Sequence, residues 1–358
     1  MRALFLVNGL GLGNSTRCHA VAQRLAARGV EVAIMTSGNG VWYFQGRPEI
    51  SAVHELGSFW YASRDGRISI VDTLAATGQF LRIARDNDRL IADVIADWKP
   101  DVALIDSVYT VCGVKRSHVP LAALNNADVV HVSYGRFDDR PRSIRAQFHA
   151  IEENDYRFHR WVPDRVVSPC LDPDLPTVSG PFVRTGPIVR EGYEPSRRTG
   201  PPKRVLVMLS GSVFGTPVRF TEAPEGLQID VVGRPAPDDV DATPGVVYHG
   251  KVKDNRELLR EADLAIVNGG FSAVSELFAM QTPMVVVPVP NHAEQWVNAR
   301  TVQHLGVGLI GSEAELEADM RKALDQLDAL RAGYARLPPT PDGAAQAADA
   351  LIALAQGR

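Results

Sequence analysis

The chain has 358 residues, 45% of them hydrophobic, which is enough to build two domains with substantial cores. Its formal net charge of -4 argues against a general nucleic-acid-binding protein, and no apolar run approaches the ~20 residues of a transmembrane helix, although peripheral membrane contact stays compatible with the sequence. The three cysteines, Cys18, Cys112 and Cys170, are widely spaced without a Cys-x-x-Cys pair, so neither a disulfide framework nor a thiolate metal site is predicted and a cytoplasmic location fits best.

The N-terminal residues predict a strand, a glycine loop and a helix. The strand is Ala3 to Val7, the loop ends at Asn14, and the helix runs from Ser15 to Arg28, where Gly29 ends it. We expect Asn14 to be the N-cap of this helix. Such a glycine loop also occurs in dinucleotide-binding domains, but the next strand, Val30 to Met35, is not followed by the acidic residue that those sites require.

Two aromatic clusters follow, at residues 42–44 and 59–61, and they predict either core packing or a platform for an apolar or aromatic ligand. A helix from Asp72 to Trp98 then leads to a buried strand, Val102 to Ile105, that ends at Asp106. Ligands collect beyond the carboxyl ends of parallel strands, so Asp106 is expected to face the same crevice as the N-terminal glycine loop. The alternative is that Asp106 caps the next helix.

The strand Val119 to Leu124 is followed by a loop, Asn125 to Asp128, and by His131. His131 and His19 are lesser candidates for a general base, because a lone histidine is more often structural. A basic run follows, which is either a solvated face or a docking site for an anionic ligand; its members are Arg136, Arg140, Arg142 and Arg145.

A Pro- and Arg-rich stretch, residues 191–202, predicts a linker between two domains, residues 1–190 and 203–337, with residues 338–358 forming a C-terminal segment. Both domains alternate strand and helix patterns, so the predicted fold class is α/β, with two doubly wound parallel sheets facing one another.

The second domain opens with the strand Arg204 to Leu209 and the small-residue turn Ser210-Gly211-Ser212, which could bring backbone N–H groups to a phosphate. Further strands are predicted at Ile229 to Val232 and Val246 to Tyr248. The last two helices are predicted at Glu313 to Ala332, which a capping box of Ser312 and Glu315 begins, and at Ala344 to Ala355.

The most informative stretch runs from Ala262 to Gly308. The strand Leu264 to Val267 breaks at Asn268-Gly269-Gly270 into a helix, Ser272 to Met280, and Glu276 lies one turn into that helix. A glycine turn before a helix N-terminus suits a diphosphate, and Glu276 is placed to accept hydrogen bonds from a ribose. The strand Met284 to Val287 then leads to the helix Ala293 to Leu305, where Glu294, Gln295 and Asn298 could bind sugar hydroxyls.

Taken in order, these motifs resemble the donor-site signature of GT-B fold glycosyltransferases, especially the MurG-type N-acetylglucosaminyltransferases and the UDP-glucuronosyltransferase-like bacterial enzymes. The resemblance implies that the first domain binds the acceptor, that the second binds a nucleotide sugar, and that the terminal helix crosses back onto the first domain. The implied donor-binding residues are Gly13, Ser210, Gly211, Ser212, Val252, Asn268, Gly269, Gly270, Phe271, Ser272, Glu276, Glu294 and Gln295.

By this resemblance we expect an inverting, metal-independent transferase that needs no cofactor besides its substrate. The expected substrate is an NDP-sugar, and a UDP-sugar is the first choice. The acceptor would be a small molecule or a lipid-linked molecule, and no nucleic-acid partner is expected. Three Asp-x-Asp triplets, at residues 86–88, 172–174 and 239–241, fall outside the expected donor loops and are interpreted as solvated surface.

Two departures from these families concern the expected catalytic residues. Asn14 stands where they usually have a histidine base, and an amide cannot act as a general base near neutral pH. Asn268 stands where they commonly have a cationic or histidine residue. Asp106 is therefore the expected base; alternatively, Asn14 only orients a substrate and the acceptor needs no base.

Two other functions fit the same sequence. One is an NDP-sugar hydrolase or epimerase on the same fold, and the other is a catalytically silent sugar-nucleotide-binding partner protein, which the two Asn substitutions favour. The sequence does not identify the acceptor, the sugar, the nucleotide or the oligomeric state.

Overall fold

A computed structural model describes residues 1–57, 63–64, 67–68, 77–196, 198–209, 218–236, 243–250, 252 and 254–357, with only the backbone of residues 63–64, 67–68 and 77–80. Two parallel sheets, each covered by helices, make up the fold. The apolar strands are buried on both faces, as in β1 (Arg2–Val7), where every residue after Arg2 is buried.

The first sheet has eight strands in the order β3-β2-β1-β6-β7-β8-β10-β9, parallel except for β9. A separate antiparallel pair is formed by β4 and β5. Besides β1, the strands up to β10 are β2 (Glu31–Thr36), β3 (Ala52–Glu55), β4 (Ser63–Arg64), β5 (Arg67–Ile68), β6 (Val102–Asp106), β7 (Leu121–Leu124), β8 (Arg165–Pro169), β9 (Val178–Ser179) and β10 (Phe182–Thr185).

Helices cover both faces of this sheet. They are α1 (Leu12–Ala26), α2 (Asn39–Phe44), α3 (Thr77–Trp98), α4 (Cys112–Arg116), α5 (Ala127–Arg136), a 3-10 turn (Arg142–Ile144), α6 (Arg145–Gln147), a π-helix (Phe148–Glu152) and α7 (Glu153–Trp161). The sheet order reverses between β1 and β6, where Asn8 donates its backbone N–H to the carbonyl of Asp106 over 3.0 Å. Such a reversal opens a crevice beyond the carboxyl ends of the strands.

The second sheet has six parallel strands in the order β13-β12-β11-β14-β15-β16. They are β11 (Arg204–Met208), β12 (Gln228–Val232), β13 (Val246–Gly250), β14 (Leu264–Asn268), β15 (Met284–Val287) and β16 (Gly308–Ile310). Its helical elements are α8 (Arg256–Glu261), α9 (Phe271–Ala279), α10 (Ala293–His304), a 3-10 turn (Glu313–Glu315), α11 (Leu316–Asp325) and α12 (Leu327–Arg336). The order reverses between β11 and β14, so the Asn268-Gly269-Gly270 turn lies at the crevice of this sheet.

The C-terminal helix, α13 (Gly343–Ala355), packs on the first sheet, where Ala347 and Leu351 share a core with Phe5. A Cβ on Gly343 would lie 2.0 Å from the Gly186 carbonyl oxygen, so the two crossing segments touch backbone to backbone. The expected crossing helix is therefore confirmed. The exact domain boundaries at residues 190, 203 and 337 stay a prediction.

Three local predictions are wrong. Helix α1 begins at Leu12, so Asn14 lies inside the helix rather than at its N-cap, and its amide donates to the Asn8 carbonyl over 3.4 Å. The single helix expected from Glu313 breaks at Gln326 into α11 and α12. The capping box is incomplete because Ser312 accepts from Ala314 N–H over 3.3 Å but donates its own N–H to Asp319 over 2.7 Å, not to Glu315.

Within the part of the chain that the structure describes, no helix is long and apolar enough to cross a lipid bilayer.

Candidate functional site

The two crevices face one another and touch at Gly13, where the N-terminal glycine loop (the Gly13 loop) passes into the first turn of α1. A Cβ on Gly13 would lie 2.9 Å from Ser272 Oγ at the start of α9, so this part of the first domain reaches the glycine turn of the second. Gly269 is packed just as closely, since its Cβ would lie 2.6 Å from the carbonyl oxygen of Gln295 on α10. By contrast, a Cβ on Gly11 or Gly270 would meet nothing within 4 Å. Open space therefore lies beside the turn at Gly270.

The start of α9 has the features of an anion site. Its N-cap, Gly270, has an extended backbone with φ -63°, no side chain caps the helix, and the first turn has no acidic residue. The first N–H groups of an uncapped helix keep their hydrogen-bonding capacity and carry a partial positive charge. An anionic ligand at Gly270, Phe271 and Ser272 would be bound by these groups.

Glu276 lies deeper in the same crevice, within a polar cluster at the start of the linker. Its carboxylate is 3.6 Å from the Arg190 guanidinium, which also donates to the Tyr193 hydroxyl over 2.6 Å. Burial raises the pKa of Glu276, while Arg190 and Tyr193 oppose that rise. The Nε of Arg190 is buried, and no hydrogen-bond partner for it is found among the described residues. Arg190 therefore brings a cation to a site where the sequence analysis had found none.

The start of α10 supplies the second wall. The Glu294 carboxylate accepts from the Asn126 amide of the first domain over 3.3 Å, and the Gln295 side-chain oxygen accepts from Val289 N–H over 3.0 Å. Asn298 is buried, and its amide donates to the Gly269 carbonyl over 2.9 Å. This side chain braces the glycine turn, and its expected contact with sugar hydroxyls stays a prediction. The Asn268 amide likewise donates to the Val287 carbonyl over 3.0 Å.

Asp106 is fully buried in the first crevice and forms a bidentate ion pair with Arg17 of α1. Arg17 Nε lies 2.6 Å and Nη2 2.5 Å from the two carboxylate oxygens. Cys18 also donates its thiol to Asp106 over 3.3 Å, and burial raises the pKa of that thiol. Burial alone would lower the pKa of Arg17, but the charge of Asp106 raises it above its usual value. Both oxygens of Asp106 are therefore occupied.

The chain is similar in sequence and in fold to known glycosyltransferases. Residues 1–147 match the family model described as Glycosyl transferase family 1, and residues 246–350 match the Glycosyltransferase family 28 C-terminal domain. The structure of the glycosyltransferase SnogD from Streptomyces nogalater superimposes with a TM-score of 0.61 at 20% identity, covering 99% of both chains. The protein is a glycosyltransferase with the GT-B fold.

Two relatives extend this comparison. An uncharacterized glycosyltransferase of Methanosarcina mazei is 24% identical over 335 residues, which are 86% of this chain and 85% of the relative. A UDP-N-acetylglucosamine--N-acetylmuramyl-(pentapeptide) pyrophosphoryl-undecaprenol N-acetylglucosamine transferase of Rhodospirillum rubrum is 28% identical over 195 residues, 47% of this chain and 49% of the relative.

The two histidines of the glycosyltransferase that were considered as bases differ in their surroundings. The ring of His19 is buried between Glu49 and the Tyr43 hydroxyl, which lies 3.0 Å from Nδ1, and burial lowers its pKa. His131 stacks on Tyr156 with ring centroids 4.1 Å apart, its Nδ1 is buried without a hydrogen-bond partner among the described residues, and burial lowers its pKa. The alternative that Asp106 caps α4 is wrong as well, because that helix has no side-chain cap.

The aromatic and basic segments have mixed roles in the glycosyltransferase. Tyr43 and Phe44 are core residues, whereas Trp42 is 60% exposed. Arg136 lies 2.6 Å from the buried carboxylate of Asp172, so the interpretation of the triplet at residues 172–174 as solvated surface is wrong for Asp172, whereas Asp174 is exposed. Arg140 donates to the Tyr134 carbonyl over 2.7 Å and is half-buried, whereas Arg136, Arg142 and Arg145 are exposed.

Some expected site residues cannot be placed. Ser210, Gly211, Ser212, the second aromatic cluster and the triplet at residues 239–241 lie outside the described residues. Val252 is 36% exposed. In the described ranges, no group of three or more His, Cys, Asp or Glu side chains could hold a metal ion.

The sequence analysis did not single out Arg190, Tyr193 or Arg17, whereas Asn126 lies in the loop, Asn125 to Asp128, that it placed at a crevice. The segment ending at Arg190 was noted only as the end of the first domain, and Arg17 lies in the helix that follows the glycine loop. The signal that could have indicated Arg17 is its position one helical turn after Asn14, where the related families have a histidine.

Proposed function

We propose that this glycosyltransferase moves a sugar from an NDP-sugar to a small-molecule or lipid-linked acceptor with inversion at the anomeric carbon. Among NDP-sugars, a UDP-sugar is the proposed donor. The observation that carries the proposal is the uncapped start of α9 after Gly269, with Glu276 on one side and Glu294 on the other. The printed name of the Rhodospirillum relative, a transferase that uses UDP-N-acetylglucosamine, supports uridine as the nucleotide.

In this proposal each wall of the crevice holds one part of the donor. The N–H groups of Gly270, Phe271 and Ser272 bind the diphosphate. Glu276 accepts hydrogen bonds from the ribose hydroxyls, which displaces Arg190 from the carboxylate and frees its guanidinium for the neighbouring phosphate. Glu294 and Gln295 contact the sugar. The remaining donor contacts, Ser210 to Ser212 and Val252, are proposed from the family resemblance alone.

The reaction is a single displacement. The acceptor oxygen attacks the anomeric carbon, the bond to the diphosphate oxygen breaks, and the electron pair leaves with the diphosphate. Preorganised N–H groups and a cation stabilise that developing charge. Closure of the Gly13 loop onto Ser272 excludes water from the reacting atoms.

In this proposal Asp106 accepts the proton of the acceptor once one of its carboxylate oxygens leaves Arg17. The Asn14 amide, which donates to the Asn8 carbonyl, orients a substrate. An Asp106→Asn variant with full turnover and intact donor affinity would exclude Asp106 as the base. In that case the acceptor is acidic enough to react without one.

Calorimetric titration with UDP, dTDP, GDP, ADP and their common sugar conjugates tests the donor site. We expect selective binding of one sugar nucleotide, and Glu276→Gln should weaken that binding about tenfold by removing a charged acceptor of ribose hydrogen bonds. Glu257→Gln, an exposed residue at the start of α8, is the matched control. Absence of binding across the panel would reject the proposal, and loss of the donor without any acceptor would indicate a hydrolase.

A further inference from the structure

The helix that carries Glu294 and Gln295 has no cap of its own. The N-cap of α10 is His292, and its side chain makes no cap hydrogen bond. The first N–H groups of a helix need partners from outside the helix when they are buried. Here Ala293 is completely buried, so its N–H cannot be satisfied by bulk water.

The partners come from the first domain. The side-chain oxygen of Gln147 accepts the N–H of Ala293 over 2.9 Å. The amide group of Gln147 donates in turn to the Glu152 carboxylate over 2.7 Å, and that carboxylate also faces the backbone N–H of Glu294. Gln147, which is 146 positions from Ala293 in sequence, and Glu152 thus act together as an N-cap for α10.

An apolar contact between the domains holds this cap in place. Phe148, which follows Gln147, packs with Tyr134 and Ile144 of the first domain against Ala293, Trp296 and Val297 of α10. The rings of Tyr134 and Phe148 stack with centroids 3.5 Å apart. Gln147 and Glu152 flank and end the π-helix, whose wider turn is a frequent feature of functional sites.

We propose that Gln147 and Glu152 are positioning residues, which cap α10 from the opposite domain and thereby set Glu294 and Gln295 for the sugar of the donor. The inference rests on the proposed function for the identity of the ligand. It predicts that the domains must meet before the sugar is recognised, whereas the nucleotide alone needs only the second domain.

The charges around Glu152 make this cap sensitive to pH. Glu294 of α10 and Asp155 of α7 face Glu152, while Gln147 donates to it. Burial and then the charge of Glu294 raise the pKa of Glu152 to about 7. A carboxyl group whose pKa is higher in the closed state destabilises closure as pH rises from the ordinary carboxyl range to about 7. Sugar recognition should therefore weaken as the pH rises from 4.5 to about 7, and Glu152→Gln should flatten that dependence.

The test compares the affinity for a UDP-sugar with the affinity for UDP, because their ratio isolates sugar recognition. In Gln147→Ala this ratio should fall about tenfold while UDP affinity stays unchanged, since a helix cap is removed from the closed state only. Asn154→Ala, an exposed amide on the same helical stretch, is the control and should change neither value. An unchanged ratio in Gln147→Ala, together with an unaltered pH profile in Glu152→Gln, would overturn the inference.

Amide hydrogen exchange of the ligand-free protein separates failure of this inference from failure of the proposed function. If the wild type binds no sugar nucleotide, the proposed function fails. The exchange rates at the amides of Ala293 and Glu294 then show whether Gln147 caps α10. Faster exchange at these two amides in Gln147→Ala than in Asn154→Ala supports it. Equal protection in both variants overturns it.

Discussion

The Arg17–Asp106 ion pair bears on both stability and chemistry, because it is buried and because it occupies the carboxylate that is the expected base. The Asp106 carboxylate has no exposed surface, and Arg17 is its only cationic neighbour among the hydrogen bonds of the described residues. Removing one member of a buried pair leaves the other charge desolvated and unpaired. The pair therefore ties α1, which follows the glycine loop, to the carboxyl end of β6.

Arg17→Gln is expected to lower the free energy of unfolding by about 3 kcal/mol, because it leaves the Asp106 charge buried without its partner. Urea unfolding at neutral pH measures the change. Arg82→Gln is the control, since Arg82 and Asp86 form an exposed pair whose loss should cost about 0.5 kcal/mol or less. Equal losses in the two variants would show that the buried pair contributes no more than a surface pair.

At the scale of elements, the glycine turn between β14 and α9 combines two different demands. The backbone of α10 leaves no room for a side chain at Gly269, whereas Gly270 borders open space. The first glycine is thus required by packing, and the second leaves room where a phosphate would approach the backbone. Adjacent residues therefore give a matched pair for separating stability from binding.

Gly269→Ala should reduce stability by about 1–3 kcal/mol, because its Cβ meets the Gln295 carbonyl oxygen and pushes α9 and α10 apart. Gly270→Ala, with φ -63° and free space, should fold as stably as the wild type but bind a diphosphate donor more weakly. Thermal unfolding and donor calorimetry on both variants measure the two effects. A stable Gly269→Ala variant with wild-type affinity would contradict this account of the turn.

The elements themselves could be predicted from the sequence, because apolar runs and glycine breaks are local signals. The strand at Leu264 and the helix after Gly270 were predicted to within one or two residues, and so was the strand that ends at Asp106. The start of α1 could not be predicted, since Leu12 and Gly13 join the helix although glycine usually disfavours one. Long-range pairs, such as Gln147 with Ala293, depend on how the domains meet, which no local pattern encodes.

For the whole molecule, the decisive arrangement is that the two crevices touch at Gly13 and Ser272. The crossing segments near Gly186 and Gly343 join the domains on one side, and the contacts of α10 with the first domain join them on the other. A donor held by α9 is therefore closed over by the N-terminal loop. Binding of UDP and transfer of the sugar should respond differently when this contact is disturbed, because UDP needs only the second domain whereas sugar recognition and transfer require both.

Gly13→Val is expected to slow transfer strongly, because its side chain collides with the Ser272 side chain and keeps the two crevices apart. Gly11→Val is the matched control, since a Cβ at residue 11 meets no atom within 4 Å and should leave closure intact. Turnover and calorimetric affinity are measured on both variants. Equal turnover in the two would mean that the Gly13 loop does not need to reach Ser272, and that the acceptor domain works at a distance from the diphosphate. Loss of UDP binding in Gly13→Val alone would instead make the loop part of the nucleotide site.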